Sequence, residues 1–279
     1  MAKSDSTINV RWRDVSFEGL RILILGFITA IAVVPIIHVI LSSFKPPTEF
    51  FVSNIRLIPK QPTLQAWSEG FAALRGPLVT SGIIATGTTI LSLAITIPGA
   101  YVFARREFPG RKLLFYLVVV SLLFPYILLI IPIADIWNVA GLYNTIPGMW
   151  LAYQVFVAPF AIWLLRDFFA GLPKNIEEAA QVYGCTPFGA FVRVVIPLSA
   201  PGLMAVMFMS FLIAWNDFLF ANLLLQRDTQ TVIVTLFNTT QGGERTYWGM
   251  LMAQALITGI PPTVLYMIAR DRLTNAFAI

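Results

Sequence analysis

Six stretches of this chain stay apolar for about twenty residues each, and that alone removes most of the folds open to 279 residues. A helix needs about 20 predominantly apolar residues to cross a hydrocarbon core about 30 Å thick. Windows of that kind fall near 20–43, 79–104, 113–136, 146–165, 200–224 and 248–269. With 57% hydrophobic and 12% charged residues and a mean hydropathy of +0.77, the chain is too apolar for a water-soluble domain. The windows are continuous runs and lack the two-residue alternation of barrel strands, which excludes a transmembrane β-barrel. The expected fold class is therefore an all-α integral membrane protein with six transmembrane helices. The first window is longer than the roughly 7–15 apolar residues of a signal peptide and ends in no small-residue cleavage site, so it is read as a retained helix.

Charge sets the expected orientation. If residues 1–19 form a cytoplasmic amino segment, six spans return the carboxyl end to the same side. Thirteen of the 19 Lys and Arg residues then face the cytoplasm and six, Lys45, Arg56, Lys60, Arg75, Arg227 and Arg245, face outward. The tightest test is the short loop Arg105-Arg106-Glu107-Phe108-Pro109-Gly110-Arg111-Lys112, in which four of eight residues are basic. A positive-inside bias places that loop in the cytoplasm. The net charge of +5 is thereby explained by topology and calls for no nucleic-acid partner. Residues 44–78 become an outer loop, 167–197 a cytoplasmic one, and 20–279 the membrane domain.

Several chemistries are excluded by composition. Cys185 and His38 are the only residues of their kinds, so no disulfide framework and no His/Cys-rich metal site is expected. No G-x-x-x-x-G-K-[ST] phosphate loop occurs, so no ATPase site and no catalytic residue is expected in this chain.

The cytoplasmic loop is a polar island between apolar runs. Asn175 followed three residues later by Glu178 matches a capping box, in which cap and carboxylate satisfy the free amides of a helix start. Thr186-Pro187 reads as a second start, with Thr as cap and Pro at the first helical position. Gly184 lies between them as a turn. Two short helices joined at a glycine would project from the membrane surface. The small residues Ala179, Ala180 and Gly184 would let another protein approach the backbone closely. Taken singly, Glu178 reads as a cap, Gly184 as a helix terminator and Pro197 as the start of a span.

Taken together, these residues form a spacing: Glu178-Ala179-Ala180, three residues, Gly184, nine residues, then Val194-Val195-Ile196-Pro197. This resembles the EAA signature (E-A-A-x3-G-x9-I-x-L-P) of the membrane-spanning subunits of ABC-type importers, with Val194 and Ile196 at its two aliphatic positions. Ser43-Phe44-Lys45-Pro46, Tyr101-Val102-Phe103-Ala104-Arg105-Arg106-Glu107-Phe108-Pro109-Gly110 and Ala214-Trp215-Asn216-Asp217-Phe218 are similar to the carbohydrate permeases of the maltose-transporter type, in particular the shorter six-helix subunit of their heterodimer. The run from Arg270 to Ile279 departs from the Gly-rich basic segment in which those permeases commonly end. The resemblance implies a type I ABC importer permease in a prokaryotic inner membrane. It also implies a homologous second permease subunit, a cytoplasmic ATP-binding subunit dimer, an extracytoplasmic solute-binding protein and a carbohydrate substrate. ATP and Mg are then used by the partner ATPase and no cofactor is bound here. By the same resemblance the loop, through Glu177, Glu178, Ala179, Ala180, Gly184 and Pro197, couples to that ATPase, Glu178 matching the acid that pairs with a basic residue there.

The translocation path is sought among polar and aromatic residues at membrane depth, since sugars are held by hydroxyl hydrogen bonds and an aromatic face. Trp215, Asn216, Asp217, Tyr126 and Tyr153 are the candidates. A carboxylate within a span is costly and faces protein or water, so Asp217 reads either as a substrate contact or as a cap or interhelical hydrogen bond. Trp215, Asn216 and Asp217 are consecutive and, at about 100° per residue of helix, cannot share one cavity. Tyr126 and Tyr153 read equally as packing. Pro98, Pro125, Pro132, Pro159 and Pro261-Pro262 are expected to interrupt or bend their spans, and Ser81, Gly82, Gly87, Ser92 and Gly99 to favour close helix packing. An importer permease for a non-sugar solute and an ion-coupled secondary carrier are the alternatives. A carrier would be expected to show internal repeats and several midplane charges, and neither is evident.

Overall fold

The computed structural model describes residues 6–50, 57–242 and 247–276, with side chains over 17–50, 57–242 and 247–270. The first residues of the expected amino segment, part of the outer loop (51–56) and the side chains after Arg270 lie outside the described residues. Among the described residues the secondary structure is helical throughout. Four helices are long and apolar enough to cross a membrane, or up to six if each of two bent pairs is one span.

The first helix, α1, runs Ser6–Ser42 and the second, α2, Gln65–Arg105. α2 therefore begins well inside the segment expected as outer loop and runs through Gly76-Pro77 without a break. The expected third span is not one helix. It divides into α3 (Arg111–Ser121) and α4 (Ile130–Ala140), with a short 3-10 turn at Tyr126–Leu129, and the two limbs meet at 94°. Pro125, extended at ψ 103°, sits at the break, where its ring cannot continue the preceding turn. Pro98, Pro159, Pro261 and Pro262 do not interrupt their helices: α2, α5 (Ile146–Gly171) and α12 (Trp248–Ala276) run through them. Membrane helices absorb such prolines where neighbours re-satisfy the freed carbonyls.

After α5 come α6 (Lys174–Val182), α7 (Pro187–Ala190), a π-helical turn (Phe191–Val195) and α8 (Ile196–Leu198). α9 (Ala200–Asn216) follows at a 74° bend. The expected fifth span also breaks: α9 ends at Asn216, Asp217 is extended (φ −70°, ψ 134°), and α10 (Leu219–Leu224) restarts the helix. α11 (Val232–Thr240) precedes α12.

The chain divides into two compact units. One holds residues up to 70 together with 245–256. In it Trp67 Nε1 donates to Ser43 Oγ at 3.1 Å, Thr63 N to Phe44 O at 2.9 Å, and Tyr247 OH to Lys45 O at 3.3 Å. Lys45, buried, lies 5.8 Å over the Phe50 ring. The apolar part of α1, Phe17–Ser42, is almost entirely exposed, a surface suited to lipid.

The other unit, 71–244 with 257–279, contains the candidate sites. Its core joins Ala100 of α2, Ala161, Leu165 and Phe169 of α5, Phe191 and Val195 of the π turn, and Val206 of α9. Small residues set the α2–α5 approach: a Cβ on Gly87 would collide with the Trp150 indole, whose Nε1 donates to Ile83 O at 3.2 Å. Ser81 and Ser92 are buried, and Ser81 Oγ accepts from Val232 N at 3.0 Å. The close packing expected of this stripe is present at Ser81, Gly87 and Ser92, whereas Gly82 faces open space and Gly99 makes only ordinary contact.

Candidate functional site

α6 begins two residues earlier than the sequence suggests. Pro173 is its N-cap, extended and without a side-chain cap, so Asn175 falls inside the first turn and the expected Asn175–Glu178 capping box does not form. The C-terminal end does follow the sequence. Gly184 adopts φ +92°; its N–H donates to Gln181 O and that of Cys185 to Ala180 O, both at 3.0 Å. That pair of bonds is a Schellman closure, which requires a left-handed residue at the turn and thus favours glycine. Thr186 then caps α7, its Oγ1 accepting from Gly189 N at 3.0 Å with Pro187 next in line. Pro197 lies within α8, two residues before the bend into α9.

The adjacent acids of the EAA run face different surroundings. Glu178 and Ala179 are exposed, as are Gly184 and the neighbouring side chains Val182, Tyr183 and Phe188, which are 85%, 90% and 74% accessible. An apolar rim around an acid, with a bare backbone turn beside it, is an unusual surface for a solvated loop. Glu177 turns the other way. Its Oε1 lies 2.8 Å from Arg105 Nε, and the two side chains are 13% and 6% exposed. Tyr101 OH donates to Glu177 Oε2 at 2.7 Å, and Arg105 Nη2 to Leu172 O at 2.8 Å. Beside these groups is a cleft of about 200 Å³ that Arg106, Lys174 and Glu178 also line. From sequence, Tyr101 and Arg105 stood out only as part of a segment similar to the carbohydrate permeases, and Arg105 also as a topology charge, with no site role for either. Their spacing of four places both on one face of α2, a signal that an acid on another element could have completed.

The membrane-depth candidates do not form one pocket. Tyr153, fully buried, donates through its OH to Asp217 Oδ2 at 2.9 Å, and the same oxygen accepts from Ala221 N at 3.0 Å. Asp217 thus caps α10 and ties it to α5. Trp215 is buried and its Nε1 donates to Thr258 O at 3.2 Å. Tyr126 packs 5.7 Å from Phe156 and 6.4 Å from Phe220. Asn216 is exposed, its amide donating back to Leu212 O at 3.0 Å. Among the described residues no group of three His, Cys, Asp or Glu side chains is placed to hold a metal ion.

The chain is thus apolar and helical, with two bent helix pairs and an exposed, acid-bearing helical hairpin. Residues 96–278 match the family described as binding-protein-dependent transport system inner membrane component, and the chain belongs to that family. It is a permease subunit of an ABC-type importer. The trehalose transport system permease protein SugB of Mycobacterium tuberculosis is 34% identical, over 94% of each chain. The diacetylchitobiose uptake system permease protein NgcG of Streptomyces coelicolor is 31% identical, over 94% of this chain and 88% of that one. The fold is shared with a chain of a bacterial ABC transporter involved in the import of the acidic polysaccharide alginate, at a TM-score of 0.79 and 19% identity, covering 97% of this chain and 99% of that one.

Proposed function

We propose that this chain is one of two homologous permease subunits of a carbohydrate importer, driven by a separate ATPase that docks on the hairpin α6–α7. The observation that carries the proposal is the outward presentation of Glu178, Ala179 and Gly184 on a hairpin whose turn geometry matches the EAA spacing. The carbohydrate class is supported by relatives named for diacetylchitobiose and trehalose. Six spans follow if α3 with α4, and α7–α8 with α9, each count as one. The distribution of basic residues then favours both termini, and the hairpin, in the cytoplasm. ATP and Mg belong to the ATPase dimer, and a solute-binding protein delivers substrate at the outer face.

For the substrate path, Asn216 and Tyr126 are the accessible polar and aromatic members, while Tyr153, Asp217 and Trp215 hold the broken span in place. The test is solute uptake into vesicles containing this chain, its partner permease, the ATPase and the binding protein, against a panel of disaccharides, polyols and amino acids. Uptake driven by internal or external ATP at the ATPase face, and competed by disaccharides, is the expected result. Uptake driven by an ion gradient without ATP contradicts it.

A further inference from the structure

We propose that Tyr101 and Arg105 are positioning residues that latch the hairpin to the membrane helices through Glu177, so that the two acids of the loop divide their work: Glu178 meets the partner and Glu177 transmits its motion inward. The proposal rests on the reading of α6–α7 as the ATPase-facing element.

α6 has no fully buried residue, and of its apolar side chains only Ile176 and Ala180 are half-buried, so apolar packing alone holds it weakly to the bundle. The stronger tie is polar. Arg105 pairs with Glu177 at 2.8 Å while Tyr101 OH, one turn earlier on α2, donates to the other carboxylate oxygen at 2.7 Å. The Arg105–Glu177 contact is an ion pair without hydrogen-bond geometry, and the charge-assisted hydrogen bonds are those of Tyr101 OH to Glu177 and of Arg105 to Leu172 O, which are stronger away from water than exposed ones. Arg105 also reaches Leu172 O, the residue after α5, and the Tyr101 ring lies 4.4 Å from Phe191 and edge-on to Phe169 of α5 at 6.0 Å. One carboxylate therefore joins α6 to α2 directly and to α5 and the π turn through its partners. A displacement of the hairpin is passed to the core rather than absorbed by the short Leu172–Pro173 link. Removing the latch leaves the Gly184 turn, the Thr186 cap and the Glu178 face in place, so docking and transmission become separable.

The experiment uses the reconstituted complex and reads three quantities: retention of the ATPase on purification, ATP hydrolysis, and uptake per ATP hydrolysed. Arg105→Gln and Glu177→Gln are expected to retain the ATPase within about twofold of the parent and to lower uptake per ATP by roughly fivefold or more. Tyr101→Phe, which removes a single hydroxyl, is expected to lie between them and the parent. The double variant R105Q/E177Q is expected to be no worse than the weaker single, because it removes the uncompensated buried charge that each single leaves behind. Unchanged uptake per ATP in the singles, or losses that multiply in the double, overturns the latch. In the parent, uptake that needs no ATP overturns the reading of the loop itself; ATP-driven parent uptake with unaffected variants overturns the latch alone.

Discussion

Gly87→Leu is expected to keep the chain from reaching its packed state. The close approach of α2 and α5 leaves no room for a Cβ beneath the Trp150 indole, and a leucine must displace the ring and break its bond to Ile83 O. Overpacking of this kind costs about 1–3 kcal/mol and more where a rigid ring must move. Trp150 also stands beside Gln154, whose amide donates to Thr88 O at 3.2 Å, so the disturbance spreads along the helix pair. The thermal midpoint of the detergent-solubilised protein should fall sharply, with loss of monodisperse protein. Gly82→Leu is the control, because nothing lies within 4 Å of its Cβ position, and it should behave as the parent. Equal stability of the two variants would show that this helix contact does not form.

Asp217→Ala should produce the second large loss. It strips the acceptor from Tyr153 OH, buried without access to water, and from Ala221 N at the start of α10. An orphaned buried hydroxyl costs about 1–3 kcal/mol and a lost cap about 1 kcal/mol more. Asp217→Asn keeps an acceptor oxygen and should recover most of the midpoint, and Tyr153→Phe with Asp217→Asn should recover uptake in parallel. If Asp217→Ala instead melts with the parent while uptake is abolished, Asp217 is a substrate contact and not a cap.

The contrast between these sites and the sequence is instructive. The apolar windows could be placed because hydrophobic length is a local property. Gly184 and Thr186-Pro187 were equally legible, since a left-handed turn and a helix cap are each decided within a few residues. The break at Pro125 was expected, though nothing local set it apart from the prolines that leave their helices intact, and the break at Asp217 was not expected. Hydropathy treats 113–136 and 200–224 as uniform runs, whereas a helix breaks where a neighbour can satisfy the freed backbone groups, as Tyr153 and Asp217 do together at α10. Prolines alone did not mark the breaks, because α2, α5 and α12 pass through theirs. Asn175 misled for a related reason: Pro173 starts the helix first, and the neighbouring carboxylate of Glu177 is drawn to Arg105. That pairing joins residues whose separation is large, Tyr101 and Glu177 being 76 positions apart, and no local pattern encodes it.

The central claim is that ATP hydrolysis in a separate subunit reaches the membrane through the α6–α7 hairpin. Its most direct test is the ratio of solute taken up to ATP hydrolysed in the reconstituted complex, for the parent, Glu178→Ala and Gly184→Val. Neither substitution meets a packing obstacle: Glu178 is exposed, and nothing lies within 4 Å of a Cβ on Gly184. The valine must nevertheless adopt φ +92°, which L side chains avoid at a cost of about 1–2 kcal/mol or more for a branched one. Both variants should insert and pair with the second permease subunit, yet transport per ATP should fall roughly tenfold or more. Parent-level ratios in both variants would contradict it.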